Sequence, residues 1–238
     1  MSGALADLRG ATLAPVKTRA LGLSILLLFA AWASPVHAVS TSALSQELAR
    51  THQVGQRVVS FWWLPFEYWV AAAEELEQPA EEIDTISRIF RNYLIIAVID
   101  ARIEADGKLY PATPAEIGPK LEVRRNGALI EILRQMDPRL VKRLRELTYL
   151  LKTSLARLGP ALRVFVLPNL DDQGRSLLNG TSTGTLAIKY LQGEEEDPLE
   201  FLWHAPLTSI VGPTRCPEGG EELEAHWLYC PWHGLKLR

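Results

Sequence analysis

The fold is decided by the stretch Tyr93-Leu-Ile-Ile-Ala-Val-Ile-Asp-Ala-Arg-Ile-Glu104. Its first part is continuously apolar, which is typical of a strand covered on both faces, and its second part alternates, which is typical of a strand that reaches an edge. Asp106-Gly107 then marks a turn. We therefore predict a central β-strand here. Asp100, Glu104 and Asp106 lack the spacing of a calcium loop, so we expect them to lie in water at the strand end.

Further strands and helices are predicted on both sides of this stretch. The residues from Arg57 onward are β-branched and aromatic, and Pro65 can end that strand and open a helix. Asn126-Gly127 lies between two alternating runs and predicts a hairpin with a type I′ turn. Asp137-Pro138 predicts the start of the longest helix, an amphipathic one that reaches Leu158. The remaining predictions are a helix at 80–92 and strands at 162–167, 185–191 and 199–203.

Together these elements predict an α+β fold. We expect an antiparallel sheet of about five to seven strands with two or three packed helices, followed by a small C-terminal knuckle. The predicted boundaries are 1–38 for a signal peptide, 39–211 for the α+β domain and 212–238 for the knuckle.

Three tryptophans near the first strand are candidate binding residues. Adjacent Trp62 and Trp63 would point to opposite faces of a strand, and Trp69 follows in the predicted helix. One interpretation is a stacking platform for a sugar ring, a peptide or lipid headgroups. The other is a packed core, which is favoured because aromatic residues at such spacing usually serve packing.

The N-terminus has the organisation of a secretory signal peptide. Arg9, Lys17 and Arg19 precede a short apolar run, and Val36-His37-Ala38 fits the small-residue rule for cleavage after Ala38. The run is shorter than the roughly 20 apolar residues that span a bilayer, and no Cys lies near the cleavage site. We therefore predict an exported protein, periplasmic or extracellular, with neither a transmembrane nor a lipid anchor after cleavage.

The charge of the chain argues against one class of partner. Its formal net charge is −3, and loss of the leader, with three basic residues and one acidic residue, would make it −5. A mildly acidic chain lacks the basic surface that nucleic acid requires. We therefore expect a protein or cell-envelope partner and no nucleic acid.

Both cysteines of the chain lie in the knuckle, in the sequences Cys216-Pro217-Glu218-Gly219-Gly220 and Cys230-Pro231-Trp232-His233-Gly234. Cys-Pro-x-x-Gly is typical of a metal knuckle, in which a thiolate lies in a tight turn and glycine relieves the backbone. This segment resembles a degenerate zinc ribbon, the family whose knuckles read Cys-Pro-x-Cys-Gly twice. The chain as a whole also resembles uncharacterised exported bacterial proteins that end in this module, a likeness that implies no particular activity.

The resemblance implies three surviving zinc ligands. They are Cys216, Cys230 and His233, while Gly219 stands where a fourth ligand belongs and His226 is the nearest replacement. Export favours a competing interpretation, a Cys216–Cys230 disulfide, which would stabilise the tail by about 3 kcal/mol on the chain-entropy model. Free thiols in a relict turn are a third. The cofactor is therefore structural zinc or none.

The function predicted from the sequence is that of an exported, non-enzymatic binding or structural module, with the knuckle as its staple. Two alternatives stay open. One is a zinc protein whose metal has a functional role, since three ligands plus water leave an open position; the other is an envelope hydrolase. No nucleophile motif, metalloprotease helix or paired-carboxylate frame is present in the sequence. We expect His204, at the end of a predicted strand, to be structural.

Overall fold

The computed structural model describes residues 39–193 and 196–237, which belong to one compact unit. The predicted signal peptide, residues 1–38, lies outside the described residues. The fold is α+β with antiparallel sheets, as the sequence predicts. Within the described ranges, every helix is too short or too polar to cross a membrane.

The elements follow one another in an irregular alternation of helix and strand. The helices are α1 (Thr41–Leu48), α2 (Phe66–Glu75), α3 (Ala80–Phe90), α4 (Pro114–Ile117), α5 (Pro138–Ser154) and α6 (Thr208–Val211), with 3-10 helices at Gly118–Lys120 and Ala156–Ala161. The strands are β1 (Ala49–Val54), β2 (Arg57–Trp63), β3 (Tyr93–Ile103), β4 (Leu109–Pro111), β5 (Leu121–Arg125), β6 (Ala128–Ile130), β7 (Leu162–Pro168), β8 (Gly184–Tyr190), β9 (Leu199–Ala205), β10 (Thr214–Arg215) and β11 (Glu222–Leu223).

The predicted central strand, β3, organises the larger sheet, which we call sheet 1. One edge of β3 pairs with β2, and β1 continues the sheet beyond it. The other edge is shared, because β7 pairs with Tyr93–Ile99 and β4 pairs with Ala101–Ile103. Eight consecutive residues of β3 are buried, which explains the unbroken apolar run of its sequence.

A second antiparallel sheet, sheet 2, has the strand order β6-β5-β8-β9. Sheet 1 has the predicted size, but the sequence did not predict that the later strands form a separate sheet. Strands β8 and β9 alternate between buried and less buried residues, and this period of two is the same whether a strand extends one sheet or begins another. The hairpin at Asn126-Gly127 joins β5 to β6, and both turn residues have the positive φ of a type I′ turn.

Aromatic and polar contacts join the two sheets through one core. Phe61 of β2 packs on Tyr190 and Phe201, with ring centroids 5.4 and 4.6 Å apart. Trp203 of β9 donates its indole N–H to the carbonyl of Leu48, at 2.7 Å, and so fixes α1 to sheet 2.

A buried carboxylate lies between the sheets. Asp100 of β3 accepts two hydrogen bonds from the Arg57 guanidinium, at 2.8 and 2.9 Å, and one from the Tyr190 hydroxyl at 2.5 Å. Burial by itself would raise the pKa of Asp100, but these hydrogen bonds and the guanidinium charge hold that pKa below its usual range. The expectation that Asp100 lies in water is therefore wrong, because two partners distant in the sequence solvate it inside the protein.

A second carboxyl group is poorly solvated. Glu67 of α2 accepts one hydrogen bond from the Gly180 N–H at 3.0 Å, and its other oxygen is buried without a hydrogen-bond partner in the described part of the chain. Burial raises the pKa of Glu67 to about 7. Within this structure, Glu67 therefore holds its proton to much higher pH than an exposed glutamate does.

Helix α5 ends four residues before the predicted boundary at Leu158. Ala156 has a φ of +46°, which cannot continue a right-handed helix, and a 3-10 helix follows. The apolar stripe of α5 packs toward the core through Leu140 and Leu144, which are buried. The side chain of Arg143, on the same helix, forms an ion pair with Glu82 of α3 at 2.6 Å.

Candidate metal centre

The knuckle has a small core of its own. Its two short strands, β10 and β11, pair in an antiparallel hairpin that contains the first cysteine turn. Cys216, Leu223 and Cys230 are buried in this core, and Trp227 and Leu237 pack against them. Because these few apolar side chains bury little area, the hydrophobic effect contributes little to the stability of the knuckle, and the knuckle needs a further stabilising interaction.

The first cysteine turn is held by three hydrogen bonds. The Cys216 N–H donates to the carbonyl of Glu221, and the Gly220 N–H donates to the carbonyl of Cys216, both at 2.9 Å. The Gly219 N–H points at the Cys216 sulfur, 3.5 Å away. Gly220 has a φ of +75°, a left-handed conformation that favours glycine.

The second turn repeats the two backbone hydrogen bonds of the first. The Cys230 N–H donates to the carbonyl of Leu235, and the Gly234 N–H donates to the carbonyl of Cys230, both at 2.8 Å. Gly234 has a φ of +66°. Cys230, His233 and Gly234 thus correspond to Cys216, Gly219 and Gly220, as the repeated Cys-Pro-x-x-Gly pattern indicates.

The two turns bring three donor atoms to one point. The Nδ1 atom of His233 lies 3.2 Å from the Cys216 sulfur and 3.5 Å from the Cys230 sulfur. All three donor atoms lie within 4.8 Å of one another, and both thiols are free. The hydrogen bond with Cys216 raises the pKa of His233, because the sulfur stabilises a proton on the imidazole.

These separations fit a tetrahedral zinc ion. Zinc lies about 2.3 Å from sulfur and 2.0–2.1 Å from nitrogen, so tetrahedral geometry places the two ligand atoms about 3.5 Å apart. The observed 3.2 and 3.5 Å are close to that value. Two thiols and an imidazole are also the donor types that zinc prefers. The residues present therefore fit zinc with three of its usual four ligands.

His226, the candidate fourth ligand, lies elsewhere in the knuckle. The cluster of donors found among the described residues consists of Cys216, Cys230 and His233. The His226 ring instead stacks on His204 of β9, with centroids 4.6 Å apart and planes 11° from parallel. His226 and His204 thus form part of the contact between the knuckle and sheet 2.

Hydrogen bonds also attach the knuckle to the rest of the protein. The Thr208 hydroxyl donates to Glu224 at 2.7 Å and accepts from the N–H of Ala225 at 2.9 Å. Glu47 of α1 in turn accepts hydrogen bonds from the backbone N–H groups of Thr208 and Ser209, at 2.7 and 2.8 Å. The knuckle is therefore fixed through α6 to the first helix.

The candidate tryptophans lie far less exposed than a binding platform requires. Trp63 is 0% exposed and Trp69 is 1% exposed, so neither indole can reach a ligand at the surface. Trp62 keeps part of its surface while packing against the core. Two aromatic side chains of the knuckle are much more exposed than these, since Tyr229 is 58% exposed and Trp232 is 62% exposed.

From the sequence, Glu221 belongs to an acidic cluster with Glu222 and Glu224 that could supply a general base, but its place beside Gly219 was not predicted. The Glu221 carboxylate occupies the space into which a side chain at position 219 would project, and an ideal Cβ on Gly219 would overlap it. A signal for it was present in the sequence, since the glycine at the vacant ligand position is followed two residues later by a glutamate.

Comparison with protein-family models, with curated proteins and with solved structures found no match to this chain. The function therefore has to be argued from the site.

Proposed function

We propose that this protein is an exported, non-enzymatic module whose C-terminal knuckle is stabilised by a zinc ion bound to Cys216, Cys230 and His233. The observation that carries the proposal is the convergence of three donor atoms from two turns that share two backbone hydrogen bonds, with His233 Nδ1 lying 3.2 and 3.5 Å from the two sulfur atoms. When bound, zinc would cross-link the two turns and stabilise the folded knuckle.

The position of His233 favours zinc over the alternative disulfide. A disulfide needs two sulfur atoms and no imidazole, whereas here the His233 Nδ1 atom lies beside both sulfurs. The N–H of Gly219 directed at the Cys216 sulfur also suits a thiolate, because amide donors stabilise the negative charge. We keep export in the proposal because residues 1–38 have the organisation of a signal peptide. The proposal therefore requires that both thiols stay reduced in an oxidising compartment.

The second part of the proposal is contact with a partner through the knuckle. Leu228, Tyr229 and Trp232 are exposed near the cysteine turns, and exposed aromatic side chains of this kind are enriched at protein interfaces. A zinc ion would hold these side chains in a fixed arrangement, which reduces the entropy lost when a partner binds.

The metal content of the purified full chain tests the proposal. Native mass spectrometry should find one zinc ion per chain with both thiols reduced, and Cys216→Ser, Cys230→Ser and His233→Ala should each lose it. His226→Ala is the matched control, since it removes an imidazole of the same module that lies outside the donor cluster. A mass two hydrogens lower, without zinc, would establish the disulfide instead.

The partner contact has its own test. Trp232→Ala should reduce co-sedimentation of the protein with envelope material by at least about tenfold if Trp232 is an interface anchor. Trp62→Ala, which truncates the most accessible of the three candidate tryptophans, is the comparison. Equal association of both variants and the wild type would exclude contact through either indole.

A further inference from the structure

We infer that the Glu221 carboxylate is the fourth ligand of this metal site and replaces the side chain that Gly219 lacks. The inference rests on the proposed function, since it concerns the same zinc ion. It adds a ligand that comes from outside the Cys-Pro-x-x-Gly repeat.

The first step is the correspondence between the two turns. Because Cys216 and Cys230 make matching hydrogen bonds, Gly219 holds in the first turn the position that His233 holds in the second. The side chain of His233 leaves this position toward the sulfur atoms. A side chain at position 219 would therefore also point toward the metal.

The second step concerns the group that occupies the space next to Gly219. Both carboxylate oxygens and the carboxyl carbon of Glu221 lie where a Cβ at position 219 would be. Gly220, by comparison, has nothing within 4 Å of its ideal Cβ position. The absence of a side chain at Gly219 is thus matched by a carboxylate from two residues further along the chain.

The third step is chemical. Carboxylate oxygen is an accepted zinc ligand, at about 2.0–2.2 Å. The Cβ of a cysteine ligand lies only about 3.3 Å from the zinc that its sulfur binds, so a group at the Cβ position is close to coordination distance. The Glu221 oxygens lie outside the group of donor atoms that are within 4.8 Å of one another, so coordination requires rotation about the side-chain bonds of Glu221, which is exposed.

A fourth protein ligand changes what the site can do. Structural zinc sites have four protein ligands, whereas catalytic sites keep one position for water. With Glu221 bound, this site is closed, which agrees with a structural role for the ion and leaves no metal-bound water for hydrolysis.

Zinc competition titration with a chromophoric chelator tests the inference in four variants of the full chain. Glu221→Ala should weaken zinc binding by about 10- to 100-fold, the scale of losses seen when a group that supports a metal is removed. Glu218→Ala is the matched control, because it removes the same charge from the same turn and should change the affinity by less than about threefold.

The other two variants form a double-mutant cycle. Gly219→Cys restores a ligand at the vacant position, and its backbone suits a side chain because Gly219, unlike Gly220, is outside the left-handed region. In Gly219→Cys, the cobalt(II) form should show the thiolate charge-transfer absorption of three sulfurs, and adding Glu221→Ala should no longer weaken binding.

The outcomes separate the two proposals. If the wild type binds neither zinc nor cobalt, the proposed function fails. If the wild type binds but Glu221→Ala matches Glu218→Ala, or weakens binding equally with and without Cys at position 219, Glu221 is not a ligand and the three-ligand site stands. If Glu221→Ala weakens zinc binding only in the chain that has Gly219, the result supports the inference.

Discussion

The body of the protein and its knuckle are stabilised in different ways. The body, residues 39–211, has two sheets that share one apolar core, with β3 buried along most of its length. Four residues of the described part of the knuckle are buried, and two of them are cysteines. Apolar burial can therefore account for the body, whereas in our proposal a zinc ion cross-links the two turns of the knuckle. The comparison teaches that one chain can combine a body with a large apolar core and a terminal module that has almost none.

The largest loss of stability is expected when the buried carboxylate of the body is removed. Asp100→Ala should lower the free energy of unfolding by about 3–5 kcal/mol, because it leaves the Arg57 guanidinium without its buried partner. Urea denaturation measures the loss, and the zinc content should stay unchanged. Asp106→Ala, which removes an exposed carboxylate, is the control and should leave the free energy of unfolding nearly unchanged. A loss of zinc in Asp100→Ala would contradict the separation of the two regions.

The free energy of unfolding of the body should depend on pH because of the raised pKa of Glu67. Burial raises its pKa from 4.5 to about 7, so the unfolded chain releases this proton at lower pH than the folded protein does. The contribution of Glu67 to stability therefore falls as the pH rises from about 4.5 to 7, by up to about 3 kcal/mol, and is constant above that range. Glu67→Gln should remove this decline.

The measurement is the free energy of unfolding of wild type and Glu67→Gln at several pH values between 4 and 8. The difference between the two curves isolates the one carboxyl group. Parallel curves would show that Glu67 ionises normally in the folded protein.

A substitution at Thr208 should weaken the attachment of the knuckle to the body, with a smaller loss of stability. Thr208→Val keeps the shape of the side chain but leaves the buried N–H of Ala225 without its acceptor, which should cost about 1–2 kcal/mol. Hydrogen exchange of the knuckle amides measures the loss, and Thr208→Ser, which keeps the hydroxyl, should restore protection. If Thr208→Val leaves that exchange unchanged, the knuckle does not depend on this contact.

The smallest effect on the body should come from removing the metal. Chelation should expose the amides of Cys216, Gly220, Cys230 and Gly234 to exchange, because their hydrogen bonds belong to the two turns. The free energy of unfolding of the body should change by less than about 1 kcal/mol, since the core of the body does not include the knuckle. Unfolding of both regions together on chelation would contradict this prediction.

The sequence predicted the parts of this structure that depend on neighbouring residues. The apolar run of β3, the positive φ angles at Asn126-Gly127 and the cysteine turns all follow from local composition. The correspondence of the two turns was also visible as a repeated pattern.

The parts that the sequence did not predict depend on distant partners. Asp100 is buried because Arg57 and Tyr190 solvate it, and these residues lie 43 and 90 positions away. The division into two sheets depends on which strands meet, which alternation does not encode. Within the site, the sequence identified Gly219 as the vacant position but did not predict that the Glu221 carboxylate lies beside it.

The hydrogen bonds between Glu47 and the start of α6 have a consequence for biosynthesis. Glu47 and Thr208 are separated by 161 positions, so α1 acquires these contacts only after about 160 further residues have been made. The indole of Trp203 reaches Leu48 across 155 positions and is equally late. A nascent chain that stops before these residues would lack the contacts of α1 with α6 and β9 and would keep those with α2 and β2, so more of its apolar surface would be available to chaperones and proteases.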